Sequence, residues 1–93
     1  MSTESFDLDA GWRLDERVSI RPERFGALLY HFGTRRLSFL KSPALLTVVR
    51  SLAEHPTARA ACAGAGVEPP ELPRYRAALA ALAASRMIQP RSL

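Results

Sequence analysis

Few side chains in this sequence could do metal or nucleophilic chemistry, and their spacing does not form a site. The 93 residues include two histidines, His31 and His55, and one cysteine, Cys62. Zinc sites need several such ligands at short fixed spacings, and a thiol nucleophile needs a base beside it. No Gly-rich phosphate loop or nucleophile elbow accompanies them. The sequence therefore predicts a protein that is not an enzyme and that holds no metal and no cofactor.

These three residues are expected to have structural roles. Cys62 lies in an Ala-rich segment and is expected to pack as a small apolar residue. His31 falls in a predicted strand, where we expect it on the surface or facing a partner. His55 precedes a proline and is expected to cap the end of a helix.

The chemistry that the sequence does offer is charge. Lys and Arg number 13 against 9 Asp and Glu, for a net charge of +4. Residues 1–16 hold five acids and one arginine, a net of −4, whereas residues 17–93 hold twelve bases and four acids, a net of +8. A basic body favours an acidic partner, which is a nucleic acid, a membrane surface or an acidic peptide. The acidic segment 1–16 could fold onto the basic surface and mask it.

Length and composition predict one small domain. A chain of 93 residues that is 47% hydrophobic supports a single thin core. It has no run of about 20 apolar residues, which a membrane span needs. The polar start and the single cysteine favour the cytoplasm over secretion, and we expect no membrane partner. We expect an acidic, flexible tail over 1–11, one domain over 12–90 and a C-terminal tail over 91–93.

Residues 17–41 are predicted to form three short antiparallel strands. Polar and apolar residues alternate over 17–21, and Pro22 ends that strand. Residues 26–32 form the second strand and 35–41 the third. Residues 33–34 are expected to form a two-residue turn, because glycine tolerates the positive φ that such turns require.

Three helices are predicted after residue 41, because the apolar spacing changes to that of a helix. Ser42 followed by Pro43 begins the first, Thr57 begins the second, and the third runs from Glu71 to about Arg86. The buried stripes comprise Leu45, Val49, Leu52, Tyr75, Leu79 and Leu82. The fold class is α+β of the winged helix-turn-helix type, a three-stranded antiparallel sheet followed by three helices.

The third strand is expected at an edge of the sheet, where it leaves backbone N–H and C=O groups unpaired. Such an edge can accept a peptide as an added strand. Arg35, Arg36 and Lys41 would attract the carboxylates of an acidic peptide, but the same cations could serve only to prevent aggregation. A free edge with short linkers also allows a strand-swapped homodimer.

The third helix is expected to form the other wall of a groove beside this edge. Arg74 and Arg86 flank a smooth Ala-rich face, and apolar side chains of a peptide would insert beside Tyr75, Ala78 and Leu82. A helix face rich in Arg and Ala can also be an ordinary solvated surface.

A DNA-binding winged helix is the main alternative. The turn at 33–36 could be a basic wing and the third helix could enter the major groove. That helix, however, has no Asn, Gln, Ser or Thr before Ser85 to read base edges. Nucleic acid is therefore the less favoured partner. A third hypothesis is that the protein is a structural subunit that only docks on a larger enzyme.

Three stretches of the sequence resemble a known family. They are Trp12-Arg13-Leu14, residues 18–33 (VSIRPERFGALLYHFG) and residues 35–43 (RRLSFLKSP). Together they resemble the MftB family of mycofactocin-system peptide chaperones, PqqD-like recognition elements of ribosomally made, modified peptides (RiPPs). The resemblance extends over about residues 12–88.

The resemblance implies a PqqD-like domain that binds the Glu-rich leader of the mycofactocin precursor peptide. The leader would add as a strand beside the third strand, against the third helix. The chaperone would present it to a radical S-adenosylmethionine (radical SAM) maturase, which decarboxylates and cross-links the C-terminal Val-Tyr of the peptide. The predicted peptide-binding residues are Arg35, Arg36, Leu37, Ser38, Phe39, Leu40, Lys41, Arg74, Tyr75, Ala78, Leu82 and Arg86.

Overall fold

A computed structural model of the chain describes residues 6–91, which form an α+β fold as predicted. The strands are β1 (Trp12–Leu14), β2 (Val18–Glu23), β3 (Gly26–His31), β4 (Leu37–Leu40) and β5 (Ile88–Pro90). The helices are α1 (Pro43–Ser51), α2 (Ala58–Gly64) and α3 (Leu72–Ala84), with 3₁₀ turns at Leu52–Glu54 and Pro69–Glu71.

The main sheet has three antiparallel strands in the order β2-β3-β4. The predicted third strand is β4, and it lies at an edge as expected. In the register, Leu29 of β3 lies opposite Ile20 on one side and Ser38 on the other. A Cβ on Gly26 would overlap the carbonyl oxygen of Leu40, so glycine is required where β3 begins.

A second sheet, which the sequence did not predict, pairs β1 with β5. Its register places Trp12 opposite Pro90 and Leu14 opposite Ile88. The backbone N–H of Asp15 extends the contact by donating to the carbonyl of Met87 at 2.9 Å. The two ends of the domain are therefore joined. The even spacing of Phe6, Leu8, Trp12 and Leu14 indicates an extended segment, but it does not show that residues 88–90 are its partner.

The core lies between the main sheet and the three helices. Ala27, Leu29 and His31 of β3 point into it, while Leu28 and Tyr30 lie on the other face of the sheet. The helical stripes predicted for α1 and α3 are confirmed, with Tyr75 half-buried. The other buried core residues include Leu40, Leu45, Val48, Val49, Leu52, Ala58, Ala61, Cys62, Leu79, Leu82, Met87 and Ile88.

Side-chain caps fix the starts of α1 and α2. Ser42 Oγ accepts from the N–H of Leu45 at 3.0 Å, and Thr57 Oγ1 accepts from the N–H of Ala60 at 3.0 Å. Gly66, with φ 86°, ends α2 as its N–H donates to the carbonyl of Ala63. The predicted N-caps at Ser42 and Thr57 are therefore confirmed. No helix in the described part of the chain has the length and apolar content that crossing a membrane requires.

The described part of the predicted tail is packed on the domain. Phe6 and Leu8 are buried, and the ring of Phe6 stacks on Trp12 with centroids 4.4 Å apart. The N–H of Arg59 donates to the carbonyl of Leu8 at 2.9 Å. Residues 6–11 are therefore held against the core by two apolar side chains. Residues 1–5 and 92–93 lie outside the described residues.

The acids in this segment do not mask a basic surface of β4 or α3. Asp9 forms an ion pair with Arg59 of α2, with Oδ1 2.8 Å from Nε. This contact lowers the pKa of Asp9 and raises that of Arg59. Asp15 lies beside Arg17 and His31 instead. The masking hypothesis is wrong for residues 6–16; Glu4 lies outside the described residues.

The turn between β3 and β4 differs from the predicted two-residue turn. The positive φ belongs to Arg35, at 64°, and not to Gly33. His31 explains the difference, since its Nδ1 accepts from the N–H groups of Gly33 at 2.9 Å and Thr34 at 3.0 Å. The ring thus organises a longer turn in which the left-handed residue comes last.

His31 is buried, which corrects the expectation that it faces solvent or a partner. It is 1% exposed, on the inward face of β3. Because Nδ1 accepts two hydrogen bonds, the neutral ring carries its proton on Nε2, which lies 3.6 Å from Oδ2 of Asp15. His31 therefore connects the turn to the segment between β1 and β2.

Asp15 should make the unfolding free energy depend on pH in the acidic range, and Asp15→Asn should remove its contribution to that dependence. The N–H of Arg17 donates to Oδ1 at 2.8 Å, and this bond, with the nearby Nε2–H of His31 and the charge of Arg17, lowers the pKa of Asp15 against the opposing effect of burial. A lowered pKa stabilises the fold above the ordinary value of 3.8, and the benefit is lost as pH falls through the folded pKa. At pH 7 the variant should lose about 1–2 kcal/mol.

Urea unfolding at pH 7 and pH 3 measures this effect. The difference in unfolding free energy between wild type and variant should shrink at pH 3. A difference of the same size at both pH values would show that the carboxylate charge of Asp15 does not stabilise the fold.

Candidate binding groove

A groove of about 650 Å³ separates the free edge of β4 from α3. It is bounded by the strand, by the start of α1 and by one face of α3. The residues that line it are Ser38, Phe39, Leu40, Lys41, Ser42, Leu45, Arg74, Tyr75, Ala78, Ala81, Leu82 and Ser85. We refer to this space as the β4–α3 groove.

The strand wall of the groove presents backbone hydrogen-bonding groups. Hydrogen-bonded pairs alternate along an antiparallel ladder, and the N–H of His31 bonds to the carbonyl of Arg36 at 3.0 Å. Ser38 and Leu40 therefore direct their backbone groups to β3, whereas Leu37 and Phe39 direct theirs away. Within residues 6–91, no strand pairs with this outer edge of β4.

The helix wall is low and apolar. Ala78 and Ala81 present only methyl groups to the groove, while Tyr75 stands at one end. Leu45 and Leu82 are buried and form the floor between α1 and α3. Small side chains leave space beside the strand, so an extended segment could lie against both walls.

The charged residues at the groove are basic. Lys41 and Arg74 are exposed, and none of the twelve described lining residues is acidic. Arg74 lies 4.0 Å from Glu71, but both side chains are largely exposed and this contact is weak. The groove therefore favours a negatively charged occupant.

The groove brings together eight of the twelve predicted site residues. Arg35, Arg36 and Leu37 do not line it; the two arginines precede β4, and Leu37 is its first residue. Arg86 does not line it either, because it ends α3 with φ 64° and borders another depression near Asp15 and His31. The eight that do line it are Ser38, Phe39, Leu40, Lys41, Arg74, Tyr75, Ala78 and Leu82.

Four lining residues were missed. Ala81 and Ser85 follow Ala78 at helical spacing, so the periodicity of α3 contained a signal for both. Ser42 directly follows the predicted strand. Leu45 belongs to α1, and only the packing of α1 between β4 and α3 places it at the floor.

The described residues contain no group of three or more acidic, histidine or cysteine side chains that could hold a metal ion. Cys62 is buried in the core, and burial raises the pKa of its thiol. A protonated, buried thiol is a poor nucleophile, so Cys62 has the packing role that its Ala-rich surroundings predicted.

A comparison with family models identifies the chain. The model described as the peptide chaperone MftB family matches residues 11–89, which include the groove, the main sheet and all of the second sheet except Pro90. The chain belongs to this family. The family match covers almost the same residues as the resemblance, which extends over about 12–88.

Three curated relatives carry the name peptide chaperone MftB. The protein from Mycobacterium ulcerans is 59% identical over 86 residues, which cover 92% of this chain and 79% of the relative. The protein from Mycobacterium tuberculosis is 55% identical over 89 residues, or 96% and 82% of the two chains. The protein from Mycolicibacterium smegmatis is 54% identical over 86 residues, or 92% and 84%. No solved structure matches the chain.

Membership of the MftB family agrees with the prediction against an enzyme. A chaperone binds another molecule and does not itself catalyse a reaction. The family name and the relatives' names both describe this role.

Proposed function

We propose that this protein is a peptide chaperone that binds the leader of the mycofactocin precursor in the β4–α3 groove. The leader adds as a fourth strand on the free edge of β4 and packs on α3. The chaperone then presents the peptide to a radical SAM maturase, and the chemistry and the cofactor belong to that enzyme.

The free edge of β4, facing α3 across an open groove, is the observation that carries this proposal. A peptide strand would hydrogen-bond to the outward backbone groups of Phe39 and Leu37. Alternate side chains would then point toward Ala78 and Ala81, where α3 leaves room. Main-chain bonds would supply affinity, and the apolar floor would select the side chains.

The charge of the groove supports a Glu-rich ligand. Lys41 and Arg74 would form charge-assisted hydrogen bonds with carboxylates, and such bonds are stronger than neutral ones. DNA, the alternative ligand, is also acidic. The apolar floor at Leu45 and Leu82 matches a peptide better, because phosphates and base edges require polar contacts.

A titration followed by amide NMR tests the proposal. A Glu-rich precursor peptide should shift the amide signals of residues 37–42 and 74–85, while a duplex DNA of similar charge should not. An equal response to DNA, or shifts centred on residues 32–36, would favour the DNA-binding winged helix instead.

Reversing the charge of Arg74 should weaken peptide binding by roughly threefold to tenfold at low salt. Arg74→Glu places a carboxylate at the groove and repels the leader. The affinity of the variant for the peptide should also depend less on salt concentration, because one attractive charge is lost. Isothermal titration at two salt concentrations measures both effects.

Arg76→Glu is the matched control for Arg74→Glu. Arg76 is exposed on α3 but does not line the groove. If both variants lost the same affinity, total charge would explain binding and the position of the groove would be wrong.

A further inference from the structure

The outer face of the main sheet is apolar. The register places Leu28 of β3 opposite Phe39 of β4, and Tyr30 opposite Leu37, so these four side chains share one face. Phe25 and Phe32, at the two ends of β3, contact this face through Phe39 and Tyr30 respectively. We call the six residues Phe25, Leu28, Tyr30, Phe32, Leu37 and Phe39 the aromatic face.

Such exposure is unusual for a small antiparallel sheet, whose outer face is ordinarily polar. Phe32 and Leu37 are each 61% exposed, Phe25 is 54% exposed and Phe39 is 48% exposed. The fold does not need them there, since Ala27 and Leu29 on the opposite face of β3 supply its contribution to the core. A contiguous apolar patch of this kind marks an interaction surface.

The aromatic face is organised before any partner arrives. The rings of Phe25 and Phe39 meet edge to face at 5.8 Å, and those of Tyr30 and Phe32 at 5.1 Å. These contacts restrict the rings to defined positions on a hydrogen-bonded sheet. Less side-chain freedom is then lost on binding, which favours affinity.

The charges around this face indicate its occupant. Arg21 lies on the same face opposite Leu28, and Arg24, Arg35 and Lys41 lie in the adjoining turns and strand end. Glu23 is the acid on this side of β2, and it pairs with Arg21 at 3.5 Å. A second copy would bring the same cations against these, which is repulsive. The complementary partner is a different protein whose surface has an apolar centre and an acidic rim.

The aromatic face is continuous with the β4–α3 groove, because β4 belongs to both. A strand added beside β4 would extend the sheet, and every second side chain of that strand would project beside Leu37 and Phe39. A protein docked on this face would therefore touch the chaperone and its bound peptide together.

We propose that the aromatic face docks the protein to which the peptide is delivered, through an apolar, acid-rimmed surface of that protein. The inference rests on the proposed function, since it takes the peptide to be bound along β4. It adds a second binding surface, which is centred on Phe25, Tyr30 and Phe32 and meets the groove along β4.

The double variant Phe25→Ser, Phe32→Ser tests this surface at two residues that do not line the groove, although Phe25 contacts Phe39, which does. The probes are the Glu-rich precursor peptide and the radical SAM maturase, used with the full chain. Titration calorimetry should show peptide affinity within about twofold of wild type. The maturase should bind the chaperone–peptide complex at least about tenfold more weakly, because two central aromatic anchors are lost. The double variant Phe25→Leu, Phe32→Leu keeps the apolar surface and should retain most of the maturase affinity.

Two outcomes would overturn the proposal. They are unchanged maturase affinity in the serine variant, and a wild-type dimer that the serine variant abolishes while maturase affinity stays the same. The second outcome, measured by sedimentation, would assign the face to a second copy. Failure of the peptide to bind wild type, or of the maturase to bind the wild-type complex, would instead contradict the proposed function, so the two failures are distinguishable.

Discussion

Proline in place of Phe39 should weaken binding of the Glu-rich leader by about tenfold, or about 1.4 kcal/mol. The backbone N–H of Phe39 points to the free edge of β4, where an added strand would accept its hydrogen bond. Proline removes that donor and places a ring in the path of the peptide. It removes no hydrogen bond between β3 and β4, because those come from Ser38 and Leu40, so the sheet should persist.

Phe39→Ala is the matched control, because it removes the same side chain and keeps the N–H. Since strand addition depends mainly on the backbone, alanine should cost only about twofold to threefold. Isothermal titration of both variants measures the contrast, and circular dichroism checks that both remain folded. Equal losses in the two variants would mean that the side chain of Phe39, and not its backbone, binds the leader.

The alternation of β2, β3 and β4 made the main sheet predictable, but it did not show which face of β3 is buried. Leu28, Tyr30 and Phe32 form one apolar set, and Leu29 and His31 form the other. A strand with two apolar faces gives no preference for either face. That ambiguity explains why His31 was expected at the surface. Leu28, Tyr30 and Phe32 in fact lie on the outer face of the sheet and do not belong to the core.

The pairing of β1 with β5 and the docking of residues 6–11 could not be predicted for a different reason. Both depend on contacts between residues far apart in the sequence, such as Leu14 with Ile88 and Leu8 with Arg59. Local propensity carries no information about such contacts. The stack of Phe6 on Trp12 adds to the contacts that hold residues 6–11 against the domain.

The groove itself was largely predictable, because an edge strand and the stripe of α3 define its two walls. The errors occur where the chain turns. Arg35 and Arg86 both have left-handed backbones, with φ 64° in each case, at the ends of their elements. Left-handed arginines have no reliable sequence signal, since glycine or asparagine usually occupies such positions. Arg35 and Arg86 were predicted to bind the peptide because of their positions in the sequence, but neither lines the groove.

Phenylalanine in place of Ala81 should nearly abolish leader binding, with a loss of at least about thirtyfold, or about 2 kcal/mol. Ala81 is exposed on the wall of α3 that faces β4, and the groove is open there only because its side chain is a methyl group. A ring at this position would occupy the space that the side chains of the added strand need. Because residue 81 is outside the core, unfolding free energy should change by less than about 1 kcal/mol.

Ala84→Phe separates blockage of the groove from any general effect of a new aromatic ring on α3. Ala84 is also exposed, but it does not line the groove, so this variant should bind the leader like wild type. Leader affinity and urea unfolding, measured on both variants, provide the comparison. Loss of binding in Ala81→Phe alone, at unchanged stability, would require the leader to pass within a side chain's reach of α3. Full affinity in Ala81→Phe would instead mean that the leader contacts β4 without entering the groove, and the apolar floor at Leu45 and Leu82 would then have no part in recognition.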